Sequence, residues 1–86
     1  MDFRVELAPA ARRQLKKLDR PVQQRVYRRM RRLATDPRPQ GAVQLQGTSG
    51  TLYRVREGDW RIIYTIEDDR LIVLVVRIAH RNTAYR

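Results

Sequence analysis

From residue 2 the chain alternates polar and apolar positions. In "DFRVEL" the side chains of Phe3, Val5 and Leu7 fall on one side of an extended backbone, so residues 2–7 read as a first strand. The period then lengthens. Pro9 suits the first turn of a helix, where its missing N–H costs nothing. Ala11, Leu15 and Leu18 follow at helical spacing, and Arg12, Arg13, Lys16 and Lys17 fall elsewhere on the wheel. "DRP" at 19–21 ends that helix and starts another over about 21–35. Its apolar stripe is Val22, Val26, Met30 and Leu33, and Arg25, Arg28, Arg29, Arg31 and Arg32 take the remaining face.

The stretch "DPRPQGAVQLQGTSG" at 36–50 carries two prolines and three glycines and is expected to be a surface loop. Three strands follow at about 51–57, 60–67 and 70–78, joined by turns at "EGDW" and "EDDR", which predicts an antiparallel meander. The order strand, helix, helix, three strands is that of a small α+β fold with a helical hairpin packed on one face of the sheet. Residues 1–86 are enough for a single domain with one modest core.

Composition adds a partner to this outline. Nineteen basic residues against nine acidic ones give a net charge of +10, and ten of the nineteen lie between positions 12 and 32, opposed only by Asp19. Such a chain is drawn to polyanions. Seventeen of the nineteen are arginine, the residue that forks onto phosphate with fixed geometry. There is no cysteine, which excludes disulfides and thiolate metal sites. The longest apolar run, "LIVLVV" at 71–76, has the length of a buried strand and not of a membrane span. "MDFRVELAP" lacks the features of a signal peptide, so a cytoplasmic protein is expected.

One stretch points to chemistry. In "YRVREGDWRIIY", residues 53–64, a two-residue turn at Gly58-Asp59 sets Arg56 opposite Arg61 and brings Arg54 to the same side. Tyr53, Val55, Ile62 and Tyr64 then face the helices. Like charges opposed across a hairpin repel, so three converging arginines read as a phosphate site. The chain ends in "RIAHRNTAYR", 77–86, where His80 is the only histidine, beside Arg81 and followed by Tyr85 and Arg86. In a meander this tail can approach the arginine patch, which makes His80 a candidate for proton transfer.

The segment "QLQGTSGTLYRVREGDWRIIYTIEDDRLIVLVVRIAHRNTAYR" resembles the RelE toxins of bacterial toxin–antitoxin pairs. The shared elements are an L-x-G segment, the Y-R-[VI]-R-x-G-D-[WY]-R-I-I-Y hairpin and a strand ending in H-R-x-x-x-Y-R, and the "ARRQLKKL" helix also looks like that family. The resemblance implies a fold similar to small microbial ribonucleases and an endoribonuclease that cuts messenger RNA, often on the ribosome. It implies a cognate antitoxin as partner and no metal or organic cofactor. By family position Arg61 and Arg81 would act on the phosphate, with Arg54, Arg56 and Arg86 binding RNA and His80 or Tyr85 transferring protons. Some relatives carry lysines where Arg54 and Arg56 stand. A lysine can lose its proton and an arginine effectively cannot, so the general base stays open, with His80 favoured over Tyr85.

Two other readings compete. ParE toxins share the fold and poison DNA gyrase, and the "HRNTAYR" tail favours the nuclease branch over them. A non-catalytic basic nucleic-acid-binding domain would bind with strong salt dependence and turn nothing over.

Overall fold

Among residues 2–47 and 50–82, which the computed structural model describes, the elements run β1 (Arg4–Leu7), α1 (Pro9–Lys16), α2 (Arg20–Arg32), β2 (Val43–Gly47), β3 (Gly50–Glu57), β4 (Trp60–Glu67) and β5 (Ile72–His80). The α+β class and the β3–β4–β5 meander are as the pattern predicts. The sheet has five strands in the order β1-β5-β4-β3-β2, with β1 parallel to β5 and every other pair antiparallel.

β2 lies inside the segment expected to be a loop. Val43 and Leu45 alternate with Gln44 and Gln46, but their apolar signal is short and stands among prolines and glycines. The strand exists because β3 supplies its hydrogen-bond partners, from Val43 opposite Arg54 to Gly47 opposite Gly50. As an edge strand it needs little burial of its own, and Val43 remains 41% exposed.

Both helices cover one face of the sheet. Ala11, Val26, Met30 and Leu33 meet Val55, Ile62, Tyr64, Val73, Val75 and Ile78 in one core. Pro9 and Pro21 sit in the first turns of α1 and α2, as expected. β1 is stitched in at both ends: Phe3 N–H donates to Ala34 O at 2.7 Å and Ala8 N–H to Val75 O at 2.8 Å.

Past Val75 the pairing with β1 is over, and two things happen on β5. A bulge between the pairs Ile63–Arg77 and Tyr64–Val75 inserts one residue and switches the strand's parity. Val73 and Val75 face the helices before it; Ile78 faces them after it. The Ile78 N–H then finds its acceptor on α1, the Gln14 Oε1 at 2.8 Å.

The far end of the sheet is held by Tyr64 and Arg38. The Tyr64 ring is fully buried, stacks on Tyr53 at 5.7 Å and donates its O–H to Pro37 O at 2.7 Å. Arg38 forks onto the Asp68 carboxylate at 2.8 and 3.1 Å and lies over the Tyr53 ring, which fixes the approach to β2. That guanidinium holds the Asp68 carboxyl below its ordinary value.

Burial pushes the Tyr64 phenol up to about 12. The folded state therefore keeps this proton more tightly than the unfolded chain. Its contribution to stability is whole below pH about 10 and declines as the pH climbs from there towards about 12. Tyr64→Phe is expected to cost about 1 kcal/mol at neutral pH by removing the bond to Pro37. That corresponds to a Tm lower by roughly 4–8 °C in a chain of this size. An ultraviolet titration of the folded variant should lack the phenol that ionises near pH 12.

Candidate nucleic-acid interface

Gly58 and Asp59 form the whole connection between β3 and β4. Gly58 has φ 60°, a conformation glycine adopts without strain, and Asp59 keeps a negative φ, as in the turns whose first central residue is glycine. This turn sets the register Glu57–Trp60, Arg56–Arg61 and Arg54–Ile63. Partners across a pair share a face, and Val55, Ile62 and Tyr64 are in the core. Arg54, Arg56 and Arg61 therefore lie together on the face turned away from the helices.

Their environments differ. Arg56 is exposed, Arg54 is half-buried, and Arg61 is 7% exposed, the one buried charged residue among those described. β4 is central, so Arg61 is flanked by Arg56 on β3 and Ala79 on β5. Its Nη1 donates to Gly58 O and Trp60 O, both at 3.3 Å, and its Nε has no hydrogen-bond partner. None of the ion pairs among the described residues includes it. A buried cation with only long bonds to carbonyls is costly unless an anion joins it.

Arg81 reaches the same turn from the end of β5. Its N–H donates to Asp59 O at 2.7 Å, and its Nη1 stands 3.7 Å from Asp59 Oδ1. The register also brings in a residue that alternation along β5 misses. Arg77 pairs with Ile63, in one row with Arg54, because the bulge has switched the strand's parity. Nothing in the spacing of "LIVLVVRIAH" announces that bulge.

His80 does not join the arginines. It pairs with Trp60, on the helix side of the sheet, and its ring meets the indole edge-on at 5.3 Å between centroids. There it lines a shallow cleft with Gln14, Lys17 and Leu18. The expected approach of the tail to the patch thus holds for Arg81 and fails for His80: neighbouring residues on a strand point to opposite faces. Tyr85 and Arg86 lie outside the described residues.

The wider field is positive. None of the ten basic residues between 12 and 32 forms an ion pair with a described carboxylate, although Arg31 lies over the Tyr27 ring at 5.9 Å. Among the described residues there is no group of three or more His, Asp or Glu that could hold a metal, and no helix is long and apolar enough to cross a membrane.

The sequence model of the family described as "ParE toxin of type II toxin-antitoxin system, parDE" matches residues 5–85. No curated protein sequence is similar enough to count as a match. A chain of the archaeal RelE–RelB complex from Pyrococcus horikoshii is 26% identical, with a TM-score of 0.83 over 98% of this chain and 100% of that one. A chain of the RelBE2 toxin–antitoxin complex from Mycobacterium tuberculosis is also 26% identical, with a TM-score of 0.83 over 94% and 100%. A doubly arginine-substituted E. coli RelE, in the free state, shares the fold at 17% identity, with a TM-score of 0.80 over 99% and 90%.

Arg61→Met tests the site without any assumption about turnover. It replaces a buried, unpaired cation with an apolar side chain of similar length, so stability should hold or rise by about 1 kcal/mol. Inorganic phosphate should raise the Tm of the wild type and leave that of the variant unchanged, read by thermal melts across a phosphate series.

Proposed function

The chain belongs to the family of ParE toxins of type II toxin–antitoxin systems, and from its hairpin arginines and its likeness to RelE chains we propose that it is an endoribonuclease of the RelE kind, cutting messenger RNA on the ribosome. As a type II toxin it has a cognate antitoxin as its protein partner, and its structural neighbours include toxin–antitoxin complexes. Messenger RNA, the ribosome and a cytoplasmic site of action belong to the proposal.

The observation that carries it is Arg61, buried without a carboxylate between Arg56 and Ala79, with Arg81 at the same turn. RNA cleaves itself when a 2′-oxygen attacks the neighbouring phosphorus and the 5′-oxygen leaves, giving a cyclic phosphate and a 5′-hydroxyl. An enzyme must align that attack and stabilise the charge that grows on the phosphoryl oxygens. In this reading Arg61 and Arg81 bind those oxygens, and Arg54, Arg56 and Arg77 hold the flanking backbone. Arginine keeps its proton, so none of the five is the base.

His80 takes a different part from the one its place in the sequence suggests. Packed edge-on to Trp60, it fixes the point at which β5 hands over to Arg81. Proton transfer then falls to Tyr85, four residues after Arg81.

The family description favours a second reading, a gyrase poison of the ParE kind. A surface made to hold another protein has little use for a buried guanidinium without a carboxylate, and phosphate chemistry has every use for one.

Mapping new 5′ ends on naked RNA and on programmed ribosomes separates the two. Ribosome-linked cuts should fall at least 100-fold in Arg61→Ala and Arg81→Ala, a loss of the order seen when a charge-stabilising donor is removed. His80→Phe, which keeps a ring against Trp60, should retain most of the activity, and Tyr85→Phe should not. If neither RNA is cut, the nuclease reading is wrong and inhibition of gyrase supercoiling is the next assay.

A further inference from the structure

The Gly58-Asp59 turn holds both arginines assigned to the phosphate. Gly58 O accepts from Arg61, and Asp59 holds Arg81 twice, through its carbonyl at 2.7 Å and its carboxylate at 3.7 Å. The Asp59 carboxylate is ion-paired to Arg81. Stability does not explain it, since both side chains are about 60% exposed (60% and 63%) and such pairs contribute little. Nor does turn chemistry require the charge, because asparagine serves the second central position as well.

Building on the phosphate site proposed above, we propose that Asp59 is a positioning residue: its carboxylate holds the Arg81 guanidinium at the hairpin tip and yields it to an incoming RNA phosphate. The carboxylate is an internal competitor. It weakens ground-state binding by the attraction that must be given up, and in return Arg81 waits in one place instead of sampling its many rotamers. Removal of the charge alone should therefore move binding and turnover in opposite directions. That signature is foreign to a residue that merely shapes the turn, whose loss would weaken both.

The test uses Asp59→Asn and Asp59→Glu in the full chain, each also combined with Arg81→Ala. Binding is read with a single-stranded RNA 2′-O-methylated throughout, which cannot be cut, and turnover with the unmodified RNA. Asp59→Asn should bind the uncuttable RNA about two- to five-fold more tightly. Its plot of log affinity against log salt should steepen by roughly 0.7, the value of one more phosphate contact on a single strand. kcat should fall while KM also falls, and Asp59→Glu should restore kcat. In the Arg81→Ala background the Asn substitution should change neither affinity nor slope.

Two results overturn the proposal. If binding depends on Arg61 and Arg81 but Asp59→Asn leaves it unchanged, weakens it or acts equally without Arg81, Asp59 is only a turn residue and the phosphate site stands. If binding is indifferent to Arg61→Ala and Arg81→Ala, the phosphate site itself is misplaced and the role of Asp59 falls with it. The binding arm decides between them even for a protein that cuts nothing.

Discussion

A glycine at φ 60° sets the shortest connection that β3 and β4 can have, and most of what is chemically notable in this protein follows from that turn. Lengthening the loop by one residue would carry every side chain of one strand to the other face and empty the core of Val55 or of Ile62 and Tyr64. The core therefore enforces the register, and the register enforces the opposition of Arg56 and Arg61. Repulsion across that pair is a fraction of the stabilisation from burying three large apolar side chains, each worth about 1.5–3 kcal/mol. The hydrophobic effect thus assembles a group of like charges that would not assemble alone.

The rest of the charge lies where it interferes least. Val26, Met30 and Leu33 supply the core from one stripe of α2 and its C-cap, and the arginines of that helix point elsewhere. Like-charge neighbours one turn apart cost only a few tenths of a kcal/mol each on an exposed helix. So a net charge of +10 is affordable for the fold, and it draws polyanions to the whole molecule, with the hairpin face adding the geometry that a field alone lacks.

Much of this was legible in the sequence, for identifiable reasons. The helices, the meander and the inward set Val55, Ile62 and Tyr64 rest on periods of 3.6 and 2 and on a two-residue turn, and such local signals survive folding intact. β2 was hidden because an edge strand owes its existence to a partner and not to its own pattern. The faces taken by Arg77 and His80 are not legible in the sequence, for one reason. Both lie at or beyond a bulge on β5, close to an Ile78 N–H bonded to Gln14 across 64 residues of sequence, and neither feature leaves a trace in the local alternation. The histidine is the only one in the chain, whereas it is its neighbour Arg81 that contacts the hairpin turn.

That placement bears on the chemistry. Arg54, Arg56, Arg61, Arg77 and Arg81 gather around the hairpin with the Asp59 carboxylate beside Arg81, while the imidazole lies on the helix side, and the guanidiniums keep their protons. The guanidiniums can bind, align and stabilise charge, and they cannot serve as a base. A site of this kind separates the two halves of phosphoryl transfer: the field comes from rigid strands in the sheet, and the proton chemistry must come from outside them. On the nuclease reading proposed above, Arg61 and its neighbours would govern how well RNA is held in the geometry of attack, while the pH dependence of cleavage would report a group other than these arginines.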